Sequence, residues 1–409
     1  MASVEEPFPW DLGIYDAHCH PTDTMATISS IAETMQARTL TVMATRSQDQ
    51  ELVAQLAGQY GVRSPEALAS SSPQLERVIP AFGWHPWFSH QIYDDLTSSS
   101  ADKDASNIPS PDDSEAVKWR HYNAVLVPSP ESKDDEGFIN DLPTPYPLSA
   151  LLSRMRTHLE QHPLALVGEI GLDKAFRLPS HGPARDDGMT PGRRNGQSLS
   201  PYRVSMAHQI LIFKAQLHLA GELGRAVSVH GVQAPGPLYE TLRSTWKGHE
   251  KRVVSRRERK KIAEGVNEDF SSSSSGEEEE DAVRPRVRRR KPKPFPPRIC
   301  LHSFSSGVQT LRQYVEDRSI PAKIFFSFSH LVNYSTGAHE HARKKHIADD
   351  VVRACPDDRI LLESDLHTAG TEMDSMLEQI YRSACAAKGW DLRDGAERVK
   401  RNYEEFIIG

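Results

Sequence analysis

The sequence predicts a closed eight-stranded parallel barrel wrapped in helices, a (β/α)8 TIM barrel of the α/β class. Three observations predict it. Eight short apolar segments recur along the 409 residues, helical patterns lie between most of them, and histidines and carboxylates fall at the C-terminal ends of five of the segments.

In chain order the segments are Gly13–His20, Leu40–Ser47, Val78–Pro86, Ala165–Asp173, Ala226–Gln233, Arg298–Ser305, Lys323–His330 and Arg359–Asp365. Each is rich in Val, Ile, Leu or Phe and lacks clean polar alternation, as expected for strands buried on both faces of a parallel sheet. Helical periodicity marks Ala26–Gln36 and Asp49–Tyr60 after the first two segments and Tyr202–Leu223 before the fifth. Val308–Glu316, His339–Ala354 and Met373–Lys388 follow the last three. Repeated strand–helix alternation predicts a parallel α/β fold, and eight strands favour a closed barrel over an open sheet. No glycine-rich fingerprint of a dinucleotide or P-loop site is present.

Three stretches interrupt the alternation. Thr97–Pro147 is rich in Ser, Asp and Pro, with room for a short strand at Ala124–Pro128. Leu178–Pro201 is rich in Gly, Pro, Arg and Ser. Lys247–Pro297 holds a basic run (Arg256–Lys261), a serine tract (Ser271–Ser275), an acidic run (Glu277–Asp281) and a Pro/Arg/Lys tract (Arg284–Lys293). Such a segment cannot bury enough apolar surface to offset chain entropy and is expected to be disordered. The chain therefore reads as one barrel domain, 1–409, with loop insertions at 97–147, 178–201 and 247–297, which loop closure tolerates because its entropy grows slowly with length.

Composition bounds the function. A net charge of −7 argues against a general polyanion binder. Cys19, Cys300, Cys355 and Cys385 are scattered, so neither a disulfide framework nor a thiolate metal site is indicated, and a reducing compartment fits. The acidic N-terminus lacks the apolar stretch of a signal peptide, and no apolar run is as long as a membrane span. The expectation is an intracellular protein of the cytoplasm or nucleus, with no membrane partner. The basic tract Arg284–Lys293 suits phosphate contacts or nuclear import equally, and apart from Phe295 it has no aromatic for base stacking.

The C-terminal strand ends of a (β/α)8 barrel form its active-site face. The first segment ends Asp16-Ala-His18-Cys-His20. Residues i and i+2 of a strand point the same way, so His18 and His20 can bind one metal together. A merely buried or solvent-facing histidine pair has the same spacing. The third segment ends Gly83-Trp84-His85-Pro86 and the fourth Gly168-Glu169-Ile170-Gly171-Leu172-Asp173. Glu169, flanked by glycines, can approach and bridge two ions, or pair with an arginine. The fifth, sixth and eighth segments place His230, His302 and Asp365 at their ends. Taken singly, each reads as a core histidine or a capping acid. Together, six metal-capable residues on one rim would compete for partners if no cation were present. Imidazoles and carboxylates without thiolate suit Mg, Mn or Zn. The matching chemistry is attack by an activated water on phosphorus or a carbonyl carbon, with Asp365 placed to orient the water and accept its proton.

The ordered motifs DAHCH, GWHP, GEIGLD, VSVHGVQ, LHSFS and LLESD, with the Asn402…Phe406 spacing of a closing helix, resemble the TatD family of metal-dependent deoxyribonucleases, within the amidohydrolase-like barrels, from about Tyr15 to Phe406. The resemblance implies hydrolysis of phosphodiester bonds in DNA, or of another phosphoester, with two divalent ions per chain. It implies that His18 and His20 hold the first ion, that Glu169 bridges, that His230 and His302 hold the second, and that Asp365 serves the first ion and the water. Glu169 and Asp365 are then the catalytic carboxylates, and His85 touches the substrate phosphate.

Substrate-contact positions depart from the family. Val232 stands where members commonly carry Arg, Leu366-His367-Thr368 replaces a Pro after the final Asp, and Lys174 replaces an aromatic after GLD. Lys174 and Arg177 can supply the lost positive charge as substrate-binding residues, or they form a solvated loop pair. These features and the insertions resemble a fungal branch of the family described as binding a subunit of the anaphase-promoting complex. A scaffold role with a protein partner on insertion 247–297 is therefore an alternative, as is an esterase, lactonase or amidase on the same barrel.

Overall fold

The structure, a computed structural model, describes residues 6–31, 35–70, 75–96, 114–131, 135–180, 198–253, 292–334 and 338–409. Eight strands form one sheet in chain order: β1 (Tyr15–Cys19), β2 (Thr39–Met43), β3 (Val78–Phe82), β4 (Leu166–Asp173), β5 (Val227–Val232), β6 (Arg298–Leu301), β7 (Lys323–Ser329) and β8 (Ile360–Glu363). Every recorded pairing between neighbours is parallel. The sheet closes just beyond the strand ends, where Asp365 N–H donates to His18 O (3.0 Å) and His20 N–H donates to Leu366 O (2.8 Å). The predicted barrel is what forms, and each of the eight apolar segments matches one strand, the second strand starting one residue before its segment, at Thr39.

Helices α1 (Ser47–Tyr60), α2 (Leu148–Gln161), α3 (Met206–Glu222), α4 (Pro235–Trp246), α5 (Val308–Val315), α6 (Ala338–Ala354), α7 (Thr371–Lys388) and α8 (Leu392–Ile408) surround it. One departure is informative. The helix expected over Ala26–Gln36 is instead a 3-10 segment over Pro21–Ser30, broken at Thr24 (φ −131°, ψ 74°), and 32–34 lie outside the described residues. Helix α4 begins Pro235-Gly-Pro, and proline at the first helical position costs no hydrogen bond. Among the described residues no helix is long and apolar enough to cross a membrane.

The outward faces of the strands pack with the helices into the main core, with Val42, Val78, Val227, Ile299, Phe326 and Leu362 among its members. Ile79, Ala81, Ala226, Cys300, Phe325 and Leu361 gather instead with Tyr403 and Phe406 of α8, which plugs the barrel from below. Because side chains alternate along a strand, this inner set continues upward by steps of two to His85, His230, His302 and Asp365. On β1 and β4 the step is odd, from Ala17 to His18 and from Leu166 to Glu169. Both strands carry a register shift there, between Asp16 and Cys19 and between Val167 and Ile170. Such irregularities re-aim side chains near active sites.

Two of the interruptions combine. Helices Ser114–Val125 and Glu136–Asp141 lie within 97–147, and strand Leu126–Val127 pairs antiparallel with Arg203–Val204, just past 178–201. Tyr122, Leu126, Ile139, Leu142, Leu178, Tyr202 and Val204 bury one another as a second small core. Residues 97–113, 181–197 and 254–291, the last covering most of the segment expected to be disordered, lie outside the described residues.

Candidate metal centre

Glu169 is the hub of the strand-end rim. It is 3 % exposed and meets five imidazoles. Its Oε1 lies 2.8 Å from His302 Nε2, 2.8 Å from His230 Nδ1 and 3.2 Å from His85 Nε2. Its Oε2 lies 3.3 Å from His20 Nε2 and 3.5 Å from His18 Nε2. Asp365, at 18 % side-chain exposure, reaches within 3.9 Å of His18 Nε2 and 3.8 Å of His20 Nε2 through Oδ1. The backbone positions these groups: Asp365 has φ +57°, and Gly171, with φ +150°, has no room for a Cβ, which would lie 2.0 Å from His230 O. The glycine in GEIGLD thus lets β4 approach β5 and brings Glu169 against His230.

The donor set fits divalent cations. His18 Nε2 is 3.1 Å from His20 Nε2, and His230 Nδ1 is 3.2 Å from His302 Nε2. Two ligand atoms each about 2.1 Å from one ion stand about 3.0–3.4 Å apart at octahedral to tetrahedral angles. His18, His20 and Asp365 form one convergent group, His18, Glu169 and His302 a second, and His85, Glu169 and His230 a third. His20 Nδ1 is buried with no hydrogen-bond partner.

Electrostatics express the same crowding. Burial would raise the Glu169 carboxyl, but the imidazoles of His85, His302 and His18 hold it well below the usual range. Burial lowers His20, but Glu169, Asp23 and Asp365 outweigh it and lift the ring to about 9. Burial takes His85 down to about 4 against the pull of Glu169.

Other groups back the histidines. His18 Nδ1 meets Ser228 Oγ at 2.9 Å, His230 Nε2 meets Asp173 Oδ2 at 3.2 Å, and His302 Nδ1 lies 3.4 Å from Glu363 Oε1. Burial would raise the Glu363 carboxyl, but His302 brings it down to about 2. Sequence spacing did not single out these partners, because their role depends on contacts between strands.

A cavity of about 170 Å³ opens over the rim. His20, His85, Glu169, His230, His302 and Asp365 line it with Thr45, Trp87, Phe88 and His367. The last four were not anticipated as site residues, although Trp87 and Phe88 directly follow the GWHP motif. His367 Nδ1 is 2.7 Å from Asp23 Oδ2, and its ring stacks on His20. Lys174 and Arg177 do not line the cavity. Lys174 is exposed, and Arg177 Nε donates to Ser200 O at 2.8 Å. Arg177 is thereby engaged by the stretch between Leu178 and Tyr202, both members of the second core.

The family model described as TatD related DNase matches residues 15–407. Cut9-interacting protein scn1 of Schizosaccharomyces pombe is 36 % identical over 394 residues, covering 96 % of this chain and 98 % of that protein. An uncharacterized deoxyribonuclease of Saccharomyces cerevisiae is 25 % identical over 406 residues, covering 96 % and 99 %. Among solved structures, an uncharacterized amidohydrolase from Saccharomyces cerevisiae superposes with a TM-score of 0.50 at 14 % identity, over 96 % of this chain and 98 % of that one, a likeness of fold. With the motifs in order along a barrel matched almost end to end, the chain belongs to the TatD-related DNase family.

Proposed function

We propose that the protein is a divalent-metal-dependent hydrolase that cleaves phosphodiester bonds in DNA. One observation carries the reading: five imidazole nitrogens lie within 3.5 Å of the single carboxylate of Glu169, at the open end of a barrel. His18, His20 and Asp365 would hold one ion and His230 and His302 a second, with Glu169 between them; Mg, Mn and Zn suit these ligands. Bound ions supply Lewis acidity and lower the pKa of water.

The chain's own groups do the rest. Asp365, the most exposed of the six, takes the proton from the attacking water. His85 Nδ1 accepts a hydrogen bond from Trp87 N–H (3.2 Å), so the ring proton resides on Nε2. His85 is therefore a donor toward a substrate oxygen and not an ion ligand. Trp87 and Phe88 give the cavity an aromatic wall that excludes water.

The test is metal analysis of purified protein together with hydrolysis of single- and double-stranded DNA, with phosphomonoesters and lactones as comparison substrates. Bound divalent ions, DNA turnover, and its loss in Glu169→Ala and Asp365→Ala are expected. Metal-loaded protein inert on DNA would sink the nuclease reading, and turnover of lactones alone would reassign the substrate.

A second reading rests on the relative that covers the chain nearly end to end and is named for an interaction with Cut9. A partner of that kind, engaging insertion 247–297, is compatible with a working metal centre, and with residence in the nucleus or cytoplasm. Deleting 254–291 should abolish recovery of such a partner and spare hydrolysis; unchanged recovery removes the idea.

A further inference from the structure

We infer that Asp173 is a positioning residue that fixes the ring of His230 in the tautomer leaving Nδ1 free to coordinate. The inference rests on the metal-centre reading above. His230 presents Nδ1 inward, 2.8 Å from Glu169 Oε1 and 3.2 Å from His302 Nε2, and Nε2 outward, 3.2 Å from Asp173 Oδ2. A carboxylate accepts only, so without an ion Glu169 and Asp173 compete for the ring hydrogen; an ion on Nδ1 takes that nitrogen's lone pair and leaves the hydrogen on Nε2, facing Asp173. Turning the ring over would exchange Nδ1 for Cδ2 and Nε2 for Cε1, losing both contacts.

Asp173 is itself immobilised. Its Oδ1 accepts from the backbone N–H groups of Ala175 (2.7 Å) and Phe176 (2.9 Å), and its Oδ2 accepts from the Trp87 indole (2.6 Å). Gln209 clamps its main chain on both sides, accepting from Asp173 N–H (2.8 Å) and donating to Asp173 O (2.9 Å). Trp87 in turn stacks on Phe176, which packs against the second core, so the support reaches outside the barrel.

His18 Nδ1 meets a hydroxyl and His20 Nδ1 has no hydrogen-bond partner. In the other pair, His302 Nδ1 faces the Glu363 carboxylate at 3.4 Å and His230 Nε2 the Asp173 carboxylate at 3.2 Å. Such partners fix orientation and raise the basicity of a metal-bound imidazole.

Two measurements on the full-length protein test this. In wild type loaded with Zn(II), ¹⁵N spectra of labelled histidine should show His230 protonated on Nε2 and bound through Nδ1; binding through Nε2 overturns the inference, whatever the variants do. Titration with Co(II), followed by its visible absorption, should show one equivalent weakened about tenfold to a hundredfold in Asp173→Asn, with the other equivalent within about threefold of wild type. Wild-type binding with an unshifted Asp173→Asn overturns the positioning role alone. Absence of Co(II) binding by the wild type would overturn the metal-centre reading and this inference with it.

Discussion

The carboxylate of Asp16 and the hydroxyl of Ser364 meet across the seam that closes the barrel, 2.5 Å apart and 348 residues apart in sequence. Asp16 Oδ1 also accepts from Ser364 N–H (3.0 Å) and His18 N–H (3.1 Å), and both residues are fully buried. One side chain thus ties β1 to the end of β8, between His18 and Asp365. Removing it in Asp16→Ala leaves buried donors unsatisfied, which should cost about 2–4 kcal/mol. Denaturant titration of metal-free protein checks this, and an unchanged midpoint would exclude a structural role for the contact.

Gly171→Ala should be more damaging than an ordinary strand substitution. It demands a positive φ of a residue with a Cβ and drives that carbon against His230 O. A loss of about 3 kcal/mol or more is expected, with weaker ion binding because β4 and β5 move apart. A melting temperature within error of wild type would contradict the close approach.

Metal should stabilise the fold. A ligand at a hundred times its Kd adds about 2.7 kcal/mol, so EDTA should lower the melting temperature of the metal-loaded protein. Glu169→Gln should melt at the same temperature with or without EDTA. A variant that keeps the full shift would show that ions bind elsewhere.

The pH dependence should carry the mark of His90. Its Nδ1 faces Trp87 O at 3.0 Å, while His121 and His208 reach His90 O and Ser89 O on the same 3-10 segment. Burial, reinforced by the two neighbouring histidines, takes His90 from 6.5 to about 3. The unfolded chain therefore takes up the proton first on acidification. The contribution is fully present above about pH 6.5 and is lost as pH falls toward 3, at up to about 1.4 kcal/mol per pH unit. His90→Asn should flatten that slope in melts between pH 4 and 6.5, and an identical slope would refute the assignment.

The second core should fail locally. Tyr122 is fully buried within it, and truncation to Ala removes about 3–5 kcal/mol of packing. Helix Ser114–Val125 should become sensitive to limited proteolysis while the barrel melts as before. Simultaneous loss of both would show that the two cores fold as one.

Much of this was legible in the sequence because the signals are local. A strand buried on both faces must be apolar throughout, so eight such runs announced eight strands. A strand end that breaks into His or Glu after such a run announced a rim. What misled was equally local. The helical periodicity over Ala26–Gln36 gave instead a 3-10 segment over Pro21–Ser30. Thr97–Pro147 and Leu178–Pro201 looked like separate interruptions, since nothing local says that Phe138 stacks on Tyr202.

The sequence by itself determined the barrel, its strand order and which residues reach its rim, since periodicity and chain order are carried by neighbouring residues. Only the tertiary structure decided how those residues face one another. The register shifts that turn His18 and Glu169 inward, the Asp16–Ser364 seam, and the choice of Asp173 over Lys174 or Arg177 as the group beside the centre all depend on contacts between distant segments. Such contacts follow from how packed strands and loops fill the space between them, which no local pattern encodes.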